Sequence, residues 1–109
     1  MARLALRLTD DRTVSMHPVI EELTARLSCV PEVERIVLFG SRARGDAETR
    51  SDIDLAVECP NASRVVWNTI REQVVDARTL LFIDLVRHDR ASEALRHRVL
   101  TDGVVLYER

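Results

Sequence analysis

Apolar residues recur along the chain with two different periods. Val19, Leu23 and Leu27 fall four residues apart with Ile20 alongside, the stripe of an amphipathic helix. Pro18 suits a first helical turn, and Glu21 and Glu22 put negative charge where the helix dipole favours it, so this helix is expected to start near His17–Pro18. Val33 to Phe39 reads as a strand ending at Gly40, and 40–52 is polar and small, hence a loop or a short helix with loops. Ile53 to Glu58 alternates cleanly, with Ile53, Leu55 and Val57 on one face and Asp52, Asp54 and Ala56 on the other. Val66, Ile70 and Val74 are in helical register within 62–78, and Leu80 to Val86 is a strongly apolar third strand. Leu95 and Val99 mark a helix over 91–101 that Gly103 stops, and Val104 to Tyr107 adds a closing strand. Near the N-terminus Leu4, Leu6 and Leu8 alternate like a short strand, within a segment 1–16 that the pattern determines poorly. Helices alternating with strands predict one α/β (α+β) domain over 1–109, a small mixed sheet with helices packed mainly on one face.

Composition narrows the function classes. With 109 residues, 46% hydrophobic and 31% charged, the chain matches an ordinary globular domain able to hold one core. Two cysteines, Cys29 and Cys59, are too few for a secreted disulfide framework, which favours a reduced, cytoplasmic home. Unbroken apolar runs reach only four residues, as at Leu80 to Ile83, so neither a membrane span nor a signal-peptide core is expected. The net charge of −2 disfavours general nucleic-acid binding. All 16 basic residues are arginine, so chemistry that needs a Walker, kinase or Schiff-base lysine is excluded.

Three features carry candidate chemistry. The first strand runs directly into Gly40-Ser41, where a glycine permits close backbone approach and a hydroxyl with neighbouring N–H groups can hold phosphate oxygens; a plain turn is the alternative. Asp52 and Asp54 stand at i and i+2, so both carboxylates project from one strand face. Two unit charges about 4 Å apart repel by roughly 4 kcal/mol at an effective dielectric near 20, which a hard cation such as magnesium would relieve. A loop-capping Asp beside a solvated one is the alternative there. Asp84 lies inside the apolar run Leu80 to Val86, where an ionised carboxylate is costly unless it pairs with an arginine or serves as a third metal-binding carboxylate. A phosphate cradle beside three metal-holding carboxylates is the equipment of a phosphoryl- or nucleotidyl-transfer site.

Leu38-Phe39-Gly40-Ser41-Arg42-Ala43-Arg44-Gly45, followed by Ser51-Asp52-Ile53-Asp54-Leu55, resembles the signature of the DNA polymerase β-type nucleotidyltransferase superfamily, in particular its minimal nucleotidyltransferase branch. With Ile83-Asp84-Leu85 the resemblance spans about Val33 to Tyr107. It implies Mg²⁺-dependent transfer of AMP from ATP to a hydroxyl acceptor, with release of pyrophosphate. On that resemblance Asp52 and Asp54 are metal ligands, and Asp84 is the third ligand and the base for the attacking hydroxyl. Gly40 and Ser41 hold the triphosphate, with Arg42 and Arg44 as further nucleotide contacts or as solvated loop charges. It also implies a partner, since short members pair with all-helical HEPN-domain proteins in toxin–antitoxin systems, where some transfer AMP to a tyrosine of the toxin. The residues after Asp54 complete a sheet rather than add a helical acceptor domain, so a second protein, or a homodimer, is expected to wall the acceptor side. Transfer to a small molecule such as an aminoglycoside, or toxin binding without catalysis, are the alternatives.

The remaining chemistry-bearing residues read as structural. His17, His88 and His97 have no zinc-ligand spacing with Cys29 or Cys59. Trp67 reads as core packing or a half-exposed ring, and Tyr107 as strand packing.

Overall fold

The computed structural model describes residues 17–77 and 79–109. The strand expected around Leu4 to Leu8 and position 78, the last residue of the predicted third-segment helix, lie outside that range.

Helix α1 spans Pro18–Ser28, and His17 caps it by accepting the Val19 N–H at its Nδ1, 3.1 Å away. Val19, Ile20, Leu23 and Leu27 are all buried, as their spacing predicts. Strand β1, Arg35–Phe39, starts two residues later than the apolar run because the Val33 amide is turned back onto Val30 O (3.0 Å). A single helical turn α2, Ser41–Arg44, follows between Gly40 and Gly45, both with positive φ. Then come β2 (Ile53–Glu58), α3 (Arg64–Val75), β3 (Ile83–Arg87), a 3₁₀ turn (His88–Arg90), α4 (Glu93–Asp102) and β4 (Val104–Glu108). Ser63 and Ser92 cap α3 and α4, each hydroxyl accepting the amide three residues on.

The sheet order is β3-β2-β1-β4, with β1 antiparallel to both β2 and β4, and β2 parallel to β3 across the α3 crossover. A bulge opposite Ile36/Val37 lets Leu106 and Tyr107 both enter one layer of the core. That layer packs α1 and α3 on Ile36, Leu38, Ile53, Leu55 and Val57. A smaller cluster on the opposite face sets α4, through Val99 and Leu95, against Val37, Phe39 and Ala56.

Two boundaries differ instructively from the pattern. The third strand begins at Ile83 rather than Leu80, and Leu80 and Phe82 are exposed. Its partner β2 itself starts at Ile53, whose amide donates to Phe82 O (2.9 Å), so among the described residues no ladder extends upstream to hold Leu80. Gly103 ends α4 in extended conformation (φ −69°, ψ 142°), so its glycine is not needed for a left-handed cap. A Cβ there would overlap Val99 O and the Val37 side chain, so close approach of α4 to β1 is what demands it. No helix among the described residues is long and apolar enough to cross a membrane.

Candidate active site

The β1–β2 pairing brings the Gly-Ser turn and the Asp-x-Asp strand together. Its register sets Phe39 opposite Asp54, so the chain leaving β1 at Gly40 passes beside the Asp54 carboxylate. The approach is tight enough that a Cβ on Gly40 would overlap Asp54 Oδ2. Gly40 has φ 75° and ψ −158°, a region open essentially to glycine alone. Ser41, half-buried, opens α2 immediately afterwards.

Arg42 explains how residues 42–51 close that gap. It is 4% exposed, and its Nε donates to Ser51 O (3.1 Å) while Nη2 donates to Thr49 O (3.0 Å) and Ser51 O (2.9 Å). The Ser51 hydroxyl in turn accepts the Glu48 amide (2.8 Å), and the Ser51 amide returns to Glu48 O (3.0 Å). One buried guanidinium thus ties the loop that delivers Asp52 to the turn that carries Ser41. Arg42, expected as a nucleotide contact or a solvated loop charge, is buried here, and its Nε and Nη2 face the backbone carbonyls of the loop it ties down.

The α3 crossover brings in the third carboxylate. Parallel pairing places Ile53 beside Ile83, Asp54 beside Asp84 and Leu55 beside Leu85, so Asp84 shares the face of Asp54 that α4 partly covers. Asp84 is exposed on an edge strand, so its charge is not desolvated as the apolar run around it predicts; register, not burial, sets it beside Asp54. Asp52 is exposed just before β2, and Asp54 is half-buried. Burial first, then the negative charges of Asp84 and Asp52, push the Asp54 carboxyl above its ordinary range, while Arg98 and Arg44 pull it back. None of the three carboxylates forms an ion pair among the described residues. Nor, among those residues, are three His, Cys, Asp or Glu side chains gathered into a ready-made metal cage. The donor set itself, carboxylate oxygens only, suits a hard cation such as Mg²⁺ and not a soft one.

Arginines frame this face. Arg44, exposed at the end of α2, bridges Asp46 (3.2 Å) and Asp102 at the end of α4 (3.1 Å). Arg98 of α4 lies over the Phe39 ring, 5.9 Å from its centroid. Helical periodicity gave no sign of Arg98, because its place depends on α4 crossing β1.

A second polar cluster lies at the other end of β2 and β3. Arg87 donates to Asp89 (3.0 Å) and, through Nη2, to Cys59 O and Ala62 O (each 3.0 Å), and it stacks 5.7 Å from the half-buried Trp67 ring. Asp89 also accepts the Cys59 amide (2.9 Å). Burial, then the neighbouring Asp89 charge, push the Cys59 thiol up to about 11, which leaves it an inert packing group. His88 is buried and His97 exposed, and Tyr107 is buried with its hydroxyl accepting from Arg109 (3.3 Å).

Comparison with known proteins agrees with this geometry. The family described as polymerase beta, nucleotidyltransferase, matches residues 21–109. Protein adenylyltransferase MntA of Aphanizomenon flos-aquae (strain 2012/KM1/D3) is 33% identical over 102 residues, spanning 82% of this chain and 67% of the relative. Among solved structures, a toxin–antitoxin complex with AMP-PNP is similar at 28% identity with TM-score 0.64, over 84% of this chain and 72% of that one. A mutant of the toxin–antitoxin MntA–HpeT is similar at 26% identity with TM-score 0.64, over 87% and 75% of the two chains. Motif, sheet register and family match converge, and this chain belongs to the polymerase β-type nucleotidyltransferases.

Proposed function

We propose that this nucleotidyltransferase moves AMP from ATP to a hydroxyl on a helical HEPN-type partner, and that it serves as the antitoxin of that pair. The observation that carries the reading is the juxtaposition of Gly40-Ser41 with Asp54, and of Asp54 with Asp84, fixed by two strand registers. The likeness to a protein adenylyltransferase and to toxin–antitoxin assemblies, one of them with AMP-PNP, supports the choice of donor and acceptor.

In this reading Gly40 and the Ser41 hydroxyl cradle the triphosphate, and Arg44 reaches it by exchanging one of its two carboxylate partners. Asp52, Asp54 and Asp84 are the residues that would hold Mg²⁺, which when bound neutralises phosphate charge and orients the α-phosphate. Asp84, exposed at the sheet edge, takes the proton of the incoming hydroxyl. The acceptor oxygen bonds to the α-phosphorus as the bond to the β-phosphate oxygen breaks, and pyrophosphate leaves. Arg42 and the Glu48–Ser51 turn keep Asp52 in place throughout.

Incubation with ATP labelled at the α-phosphate and Mg²⁺ tests this, with the chain alone, with a HEPN-type protein encoded beside it, and with an aminoglycoside. Label on a tyrosine of the HEPN protein is expected. Label on the aminoglycoside would move the acceptor to a small molecule, and toxin neutralisation without any label would leave a binding antitoxin.

A further inference from the structure

Arg98 stands outside both motifs yet lies on the face that holds them. Helix α4 is docked by Val99 and Leu95 onto Val37 and Phe39, which aims the neighbouring position 98 along the Phe39 ring. Phe39 is the register partner of Asp54 and the residue before Gly40, so the guanidinium sits at the junction of the two motifs. One turn further on, Asp102 pairs with Arg44, fixing the same edge of α4 against α2. The two cations whose charge acts on Asp54 are thus unequal. Arg44 already has two carboxylate partners, whereas Arg98, among the described residues, makes neither an ion pair nor a hydrogen bond and keeps its five donors available. An arginine restrained by an aromatic ring loses less freedom when it binds, and its planar fork matches phosphate oxygens.

Resting on the reading of the site as a Mg–ATP-dependent transferase, we propose that Arg98 is a phosphate ligand of the nucleotide, supplied by α4 from outside the Gly-Ser and Asp-x-Asp motifs. It receives phosphate oxygens beside the Phe39 ring and offsets charge that the carboxylates would otherwise repel.

Calorimetric binding of Mg–ATP to the wild type, Arg98→Ala, Arg98→Lys and Arg71→Ala decides the matter, with melting temperature recorded for each. Arg71 is exposed on α3, which covers the other face of the sheet, and its loss removes the same net charge. Arg98→Ala is expected to bind Mg–ATP roughly ten-fold or more weakly. Arg98→Lys should recover part of that loss, Arg71→Ala should stay within two-fold of wild type, and melting temperatures should coincide. Equal affinity of Arg98→Ala and wild type overturns the assignment, as does an equal loss in Arg71→Ala. A wild type that binds no Mg–ATP overturns the nucleotide-transfer reading and this assignment together, whereas loss confined to Arg98→Ala leaves both standing.

Discussion

Gly40→Ala is the sharpest probe of how the hairpin builds the site. At φ 75° and ψ −158° an alanine pays a backbone penalty of about 1–3 kcal/mol, whatever space is available. Its Cβ would also overlap Asp54 Oδ2, the end of a side chain that can turn away. Relief of the clash therefore shifts the cost from stability to geometry. The variant should lose about 2–3 kcal/mol, a fall in melting temperature of roughly 8–12 °C, and remain folded within the usual 5–15 kcal/mol of a small domain. Activity should suffer far more, because a displacement of about 1 Å at a reacting centre can cost on the order of a hundred-fold. Urea unfolding and α-labelled AMP transfer on the same preparation measure the two effects. Stability within about 0.5 kcal/mol of wild type together with undiminished transfer would refute the claim that Gly40 is required by its conformation and by its approach to Asp54.

Other perturbations separate charge, anchoring and ligand effects. Asp54→Asn should abolish transfer yet stabilise the ligand-free protein by about 0.5 kcal/mol after solvent screening. Because the folded carboxyl titrates above its ordinary range, that gain should be full at neutral pH and vanish as pH falls through the raised value, as denaturant titrations at several pH values would show. Arg42→Ala strands the Thr49 and Ser51 carbonyls and should cost about 2–4 kcal/mol, with faster amide exchange over 46–52; slow exchange there would contradict the anchoring role. For Asp89, burial alone would raise the pKa, but the Cys59 amide and Arg87 outweigh it and hold the carboxyl below its ordinary range. Its stabilising charge is therefore present above that range and lost as pH falls through the depressed value, so Asp89→Asn should be destabilised by about 1–3 kcal/mol at pH 7 and converge on wild type in acid. Mg–ATP at about one hundred times its Kd should add about 2.7 kcal/mol and raise the wild-type melting temperature by roughly 10 °C; no shift in a thermal scan at saturating nucleotide would count against a competent site.

Wherever local pattern and tertiary pairing ask for the same residue, the sequence is transparent. Ile53 to Glu58 alternates because one side meets α1 and α3 and the other meets α4, and its boundaries match the structure to the residue. The α1 stripe and the Gly40-Ser41 turn are legible for the same reason. Leu80 to Phe82 misleads, because apolar character marks a strand only where a neighbouring strand extends far enough to pair with it. The apolar run around Asp84 implies a burial it does not have, and its alignment with Asp54 arises only when the crossover closes. Arg42 and Arg44 are near neighbours in one arginine-rich loop, yet one is buried beneath backbone carbonyls and the other lies in solvent between two aspartates. Nothing in their spacing tells them apart. Arg98 belongs to the same class of residue, placed by a helix crossing that no periodicity encodes.

The parallel partnership of β2 with β3 has a kinetic consequence. Asp52 and Asp54 are delivered by a local hairpin, but Asp84 arrives only after a helix has been threaded across the sheet, the most non-local pairing that the acidic face depends on. The strand that bears it is an outer one with no fully buried side chain, so it is a natural place for transient opening to begin. Fluctuations that detach this strand would dismantle the acidic trio while the hairpin and the α1 layer stay intact. On the proposed role of Asp84, catalytic competence is therefore a less durable property of this chain than its folded state, and anything that clasps the outer strand would prolong the one without altering the other.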